Sequence, residues 1–172
     1  LVIDARAWIG PRPDLPGVSA VDDLGPAHAR KLYTHNGGHA LLAYLGAERG
    51  HAMLWQAAED PELAAALRGF WDETGRAICA RYGVSLESQR AFEDDLLHRF
   101  RNRALGDTVE RVGRDPERKL RRDDRLVGAA ILCHDHGIDP AHAVTAIAAA
   151  LRAAGRTPEW LDAPQWLKAR LG

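Results

Sequence analysis

The run Asp60-Pro61-Glu62-Leu63-Ala64-Ala65-Ala66-Leu67-Arg68-Gly69-Phe70-Trp71, continued through Ile78 and Tyr82 to Gly83, decides the fold class. The Asp60 carboxylate can accept from the free N–H groups of a first helical turn, and Pro61 suits a position where no donor is needed. Leu63, Leu67, Phe70, Trp71, Ile78 and Tyr82 recur at a spacing that lays one apolar stripe along a helix. Gly83 ends it, since glycine takes the left-handed conformation of a helix stop at little cost. The same punctuation recurs on both sides. Segment 26–45 opens on Pro26 and stops at Gly46, and Ser85 caps a helix from Leu86 to Phe100. On that helix Phe92, Leu96 and Phe100 repeat every four residues, while Glu93, Asp94 and Arg99 form the charged face. Two further helices are expected at 123–136, ending near Gly137, and at 140–154, with Asp139 as cap, Pro140 in the first turn and Gly155 behind. A short one closes the chain around Trp160 to Leu171. No β-alternation follows residue 25 and no repeat is visible, so the expected architecture is mainly α.

With 172 residues, 46% of them apolar, the chain can bury one sizeable core. Its 23 basic and 24 acidic side chains nearly cancel, leaving no global field to recruit nucleic acid or anionic lipid. Cys79 and Cys133 sit in apolar surroundings, as buried free thiols do, which fits a reducing cytoplasm. No apolar run approaches the roughly 20 residues of a membrane span. No charged-then-apolar leader precedes the domain, so a soluble cytoplasmic protein is expected. Pro11, Pro13 and Pro16, with Gly10 and Gly17, make residues 1–25 read as an extended connecting arm, with 26–172 as the helical domain. A start at Leu1 on the apolar Leu1-Val2-Ile3, without methionine, suggests part of something longer.

The most informative stretch is Lys31-Leu32-Tyr33-Thr34-His35-Asn36-Gly37-Gly38-His39. At about 100° per residue, Lys31, His39 and Asn36 fall near 0°, 80° and 140° on a regular helix, so all three can line one side. Adjacent glycines inside a helix cost about 1 kcal/mol each relative to alanine, so a ligand or a neighbouring helix is expected to approach the backbone there. The set suits alcohol oxidation. A desolvated lysine can serve as the base that removes the hydroxyl proton, an asparagine amide can donate to the developing oxygen charge, and an imidazole can bind a hydroxyl. Taken singly, a lysine is usually a surface charge and a histidine on such a face can be a satisfied core residue.

This triplet resembles the Lys-x4-Asn-x2-His signature of the polyol-specific long-chain dehydrogenases. The likeness to their mannitol-1-phosphate 5-dehydrogenase branch extends over Arg30-Lys31-Leu32-Tyr33, Asn36-Gly37-Gly38-His39-Ala40, Ala43-Tyr44-Leu45-Gly46, Glu73-Thr74-Gly75 and Arg81-Tyr82-Gly83. It continues through Arg99-Phe100-Arg101-Asn102, Arg111-Val112-Gly113-Arg114 and Arg118-Lys119-Leu120, about residues 15 to 150 in all. One departure is Gly37, where that branch usually has threonine; it bears on packing or substrate contacts and leaves the triplet intact. The resemblance implies the multi-helical C-terminal domain of the mannitol dehydrogenase type, similar to the 6-phosphogluconate dehydrogenase C-terminal domain. It implies Lys31 as general base, Asn36 as oxyanion stabiliser, His39 as a ligand for substrate hydroxyls, and no metal.

Residues 111–125 carry seven basic and four acidic side chains. Gly113 and Pro116 make the segment a loop or broken helix, on which guanidinium forks can converge on a phosphate; the plainer reading is a solvated face with local ion pairs. A nucleic-acid surface would want aromatics to stack on bases, and the segment has none. In the resembling family an arginine and a lysine eight positions later reach substrate oxygens beside the catalytic lysine. Arg111 and Lys119 have that spacing and are expected in the substrate site, with Arg114 and Arg118 as phosphate contacts. Arg121, Arg122 and Arg125 read as surface or capping charges.

His35 and His39 also have a zinc-compatible spacing, and His134-Asp135-His136 offers further donors, but no glutamate stands beside His35 in the H-E-x-x-H manner. His134 and His136 are expected near a helix C-terminus, and the five tryptophans in the core or at interfaces. No Gly-x-Gly-x-x-Gly follows a strand, so NAD is expected to be bound mainly by an N-terminal nucleotide-binding domain missing from this chain. The resemblance then implies one half of an NAD-dependent enzyme interconverting D-mannitol 1-phosphate and D-fructose 6-phosphate. The fragment alone should be inactive, with Lys31, Asn36 and His39 on an exposed face. The alternative is a non-catalytic module that binds sugar phosphates without its nucleotide-binding partner.

Overall fold

A computed structural model describes residues 1–10 and 15–172. Pro11 and Pro13 of the expected arm therefore lie outside the described residues. The rest of the arm contains β1 (Val2–Asp4) and β2 (Ser19–Val21), which pair in parallel with Val2 opposite Ser19. From there the chain is helical: α1 (Gly25–Ala29), a π-helical stretch (Arg30–Gly37), α2 (Gly38–Glu48), α3 (Leu54–Glu59), α4 (Pro61–Tyr82), α5 (Leu86–Phe100), α6 (Val109–Gly113), α7 (Pro116–Lys119), α8 (Val127–Asp135), α9 (Ala141–Ala154) and α10 (Gln165–Leu171).

Helix α4 is the spine of the core. Asp60 accepts from the N–H groups of Glu62 and Leu63, and Gly83 closes the helix at φ 67°. Its stripe of Leu63, Leu67, Phe70, Trp71, Ala77 and Ile78 is buried against α2, α3, α8, α9 and the π-helical stretch. Burying a large apolar side chain contributes about 1.5–3 kcal/mol, so this stripe is the main reason the bundle closes. Tyr82, expected at the end of the stripe, is only half-buried.

Four boundaries differ from the sequence expectation: Gly46 does not stop its helix, since α2 runs on to Glu48 with Gly46 buried against Ala57, α10 begins at Gln165 and not near Trp160, and α8 and α9 start differently. Helix α8 begins at Val127, because Asp123 to Leu126 form a turn in which the Asp124 carboxylate accepts from the Arg125 N–H at 2.6 Å. Asp139 does not cap α9. Its carboxylate pairs with Arg170, and Glu73 of α4 takes over, accepting from the N–H groups of His142 at 2.8 Å and Ala143 at 3.1 Å. A buried carboxylate spanning two helices thus satisfies donors that a local cap would otherwise meet. Of the cysteines, Cys133 is fully buried, with its thiol pushed up to about 12 by desolvation, and Cys79 is half-buried. Trp71 is core and Trp166 stacks on His134 at 4.1 Å, whereas Trp8 and Trp160 are exposed. His134 lies in the last turn of α8 and His136 is its C-cap. No helix among the described residues is long and apolar enough to cross a membrane.

Candidate active site

The segment predicted as one regular helix from Pro26 widens to π geometry between Arg30 and Gly37 and returns to α at Gly38. Such insertions cost hydrogen-bond quality and concentrate at functional positions. Here the surroundings hold the widened turn in place. The Thr34 carbonyl accepts from the Trp71 indole at 2.8 Å, and the Thr34 hydroxyl accepts from the Gln89 amide at 3.0 Å. Gln89 in turn accepts from the Arg30 guanidinium at 3.0 Å and donates to Glu93 at 2.9 Å. The glycine pair is explained by a neighbouring helix. A Cβ on Gly37 would stand 2.7 Å from the Phe70 ring and 3.0 Å from the Arg125 carbonyl, and one on Gly38 would stand 2.6 Å from Trp71 Nε1.

Lys31 is exposed, and Asn36 and His39 are half-buried one turn and two turns further along. The Lys31 amine lies 2.8 Å from His35 Nδ1, which is also 2.9 Å from Asn36 Oδ1. Partial burial, then the charges of Arg125 and Arg99, lower the Lys31 pKa from its ordinary value, the direction a general base requires. The His39 ring stacks on Phe100 at 4.9 Å with 17° between the planes, and its Nε2 is 3.2 Å from an Asp107 oxygen. Asp107 also pairs with Arg111, so its charge is already shared. Desolvation, followed by His35, Arg111, Lys31 and Arg125, pushes His39 down to about 3 and keeps it neutral. With Nε2–H donating to Asp107, the neutral ring retains Nδ1 as an acceptor.

Asn36, His39, Arg111, Arg114, Arg118, Lys119 and Arg125, with the acidic Asp115 among them, line one open recess of about 440 Å³. Six of the seven residues expected at the site thus meet there, and Lys31 stands beside it across the His35 ring. The basic segment is broken as expected: Arg114 follows α6, and Asp115, at φ 54°, turns the chain into α7. Lys119 is 4% exposed, with its ammonium donating to the Arg114 carbonyl and lying 5.8 Å from the Tyr44 ring centre. Burial first, then Arg125 and Arg118, bring it down to about 8. Among the described residues, Arg114 and Arg118 make no ion pair, although both are exposed on the recess. Arg121 and Arg122 are surface charges, the latter 4.0 Å from Asp162.

Arg125 corrects the sequence reading. It is half-buried, bonded to Asp124 at 2.8 Å, and faces the recess. Its position just before the buried run Leu126 to Ala130 was the available signal, since a charge beside such a run must find a polar pocket. Phe100 and Asp107 were also missed as site residues. Among the described residues, no group of three or more His, Cys, Asp or Glu side chains is placed to hold a metal ion.

Helices in this order hold a recess of amide, imidazole and cations beside a partly desolvated lysine. The chain belongs to the family of mannitol dehydrogenase C-terminal domains, whose model matches residues 23–159. It is 43% identical over 151 residues to a mannitol-1-phosphate 5-dehydrogenase of Pseudarthrobacter chlorophenolicus, covering 88% of this chain and 39% of that protein. The Brevibacillus brevis enzyme of the same name is 40% identical over 87% of this chain and 39% of its own length. The chain therefore spans about two fifths of the curated relatives it matches. Two solved structures share the fold. Pseudomonas fluorescens mannitol 2-dehydrogenase, in a ternary complex with NAD and D-mannitol, aligns with TM-score 0.67 at 23% identity over 91% of this chain and 32% of that one. A D-sorbitol dehydrogenase in substrate-free form aligns with TM-score 0.69 at 24% identity over 83% of this chain and 29% of that one.

Proposed function

We propose that this chain is the substrate-side domain of an NAD-dependent oxidoreductase that interconverts D-mannitol 1-phosphate and D-fructose 6-phosphate. Residues 26–172 form the binding unit and 1–25 the arm that leads into it. The observation that carries the reading is the recess itself, where Asn36 and His39 share a wall with five cations. Arg114 and Arg118, without carboxylate partners there, are the guanidinium forks for a phosphate. Lys119 and Arg111 hold sugar oxygens nearer the reacting carbon.

Lys31, its pKa lowered by burial and by Arg125 and Arg99, takes the hydroxyl proton. The Asn36 amide donates to the oxygen as charge develops, and the free Nδ1 of neutral His39 accepts from a substrate hydroxyl. The described residues offer no sheet with a nucleotide crevice, only the short β1–β2 pair, so the fit is to the alcohol half of the reaction. The nicotinamide, held by a separate nucleotide-binding domain, supplies the hydride acceptor when bound.

The test uses the full-length enzyme. It should oxidise NADH with fructose 6-phosphate and far more slowly with fructose. Replacing Arg114 and Arg118 together by alanine should raise KM for fructose 6-phosphate about 10- to 100-fold and leave the weak fructose reaction unchanged. Equal use of both sugars by the unmodified enzyme, or an unchanged KM in the variant, would contradict the phosphate assignment.

A further inference from the structure

His35 forms, with His39, the pair whose spacing suggested zinc, and the proposed chemistry leaves it without a role. Its ring is held from two sides, meeting Phe100 in an edge-to-face contact at 5.6 Å and 66°, with its centre 5.7 Å from that of His39. Nδ1 is 2.9 Å from Asn36 Oδ1, an oxygen that can only accept, so Nδ1 carries the hydrogen and donates. The Lys31 amine is 2.8 Å from Nδ1 and 3.3 Å from Nε2 of the same ring. The in-plane direction from Nδ1 leads away from Nε2, so an amine lying along it would be much farther from Nε2 than from Nδ1. Near-equal distances place the amine over the ring face, which leaves the in-plane direction to Asn36.

We infer that His35 is a positioning residue that ties the Lys31 amine and the Asn36 amide into one rigid unit, the ring face seating the amine and Nδ1–H fixing the amide. The inference rests on the dehydrogenase reading given above. Binding the amide oxygen to Nδ1–H turns the amide N–H groups away from the ring, where they are free to donate to a substrate oxygen. The ring follows Lys31 by four residues, a sequence separation at which helix side chains meet, and directly precedes Asn36 within the π-helical stretch. Around the pair, Arg99 of α5 and Arg125 before α8 are the charged groups that face Lys31 and His35.

Steady-state kinetics of the full-length enzyme with fructose 6-phosphate and NADH, or deuterated NADH, tests this. In His35→Ala, kcat should fall about tenfold, the equivalent of one lost hydrogen bond, with KM within about twofold. The deuterium isotope effect on kcat should rise as hydride transfer becomes slower than product release. His35→Asn, whose amide N–H can stand where Nδ1–H stood, should recover part of the loss, and His35→Phe, which fills the space against Phe100 without a donor, should not. If His35→Ala does not fold, the Asn and Phe variants carry the comparison. A wild-type kcat, a lower kcat with an unchanged isotope effect, or equal behaviour of Asn and Phe overturns the inference. Lys31→Ala separates the claims: if it retains wild-type activity, the general-base role of Lys31 fails, if it is inactive while His35→Ala is normal, only the role of His35 fails, and if the unmodified enzyme does not turn over, the dehydrogenase reading fails.

Discussion

Helix α4 and the π-helical stretch at Arg30–Gly37 lie against each other and divide the work of the domain. The first is a regular helix of 22 residues with a buried apolar stripe; the second is eight residues long, out of α register, and carries Lys31, His35 and Asn36. The contact is directional. Trp71 donates to the Thr34 carbonyl, and the Phe70 and Trp71 rings fill the space that side chains at Gly37 and Gly38 would need. The regular element therefore sets the shape of the irregular one, which carries the residues proposed for the chemistry.

Two glycine substitutions test this asymmetry. In Gly38→Ala the new methyl meets the buried Trp71 indole, which is fixed by its bond to Thr34, so the change should destabilise the domain by about 1–3 kcal/mol. In Gly69→Ala on α4 the methyl meets the His142 imidazole, whose Nδ1 is bonded to the Glu73 carboxylate at 2.6 Å; the side chain is 44% exposed and can move only by weakening that bond. Its gain of about 1 kcal/mol in helix propensity offsets part of that loss, leaving a net destabilisation of up to about 1 kcal/mol. Urea midpoints measure both; if Gly38→Ala costs no more than Gly69→Ala, the clamp on the site helix is wrong.

A smaller effect comes from protons. His39 is pushed down to about 3 from 6.5, so as pH falls through this window the unfolded chain binds a proton that the folded one refuses. Stability is then lost with acidification, by at most about 1.4 kcal/mol per pH unit. Glu93, raised by burial to about 7 from 4.5, acts oppositely: the folded state keeps a proton that the unfolded chain releases, so stability falls as pH rises through that range. Stability profiles of His39→Gln and Glu93→Gln should flatten on opposite sides of a maximum near pH 5–6. Unchanged slopes would mean that burial does not set these groups.

The helices were legible because Asp60, Ser85, Gly83 and the four-residue apolar repeats act locally. The cap of α9 was not, since Glu73 reaches it from a helix distant in sequence. Nor was the π geometry, which depends on Trp71 and Gln89. Site residues were legible through the triplet and the spacing of the basic segment. Arg125 and Phe100 escaped because only packing brings them to Asn36 and His39.

The most direct measurement is the activity of Lys31→Ala in the full-length enzyme, paired with calorimetric binding of fructose 6-phosphate. The kcat should fall by about 10²–10⁴, the range for a lost general base, with affinity retained because the recess cations are untouched. Activity within about tenfold of the unmodified enzyme would contradict the general-base role of Lys31.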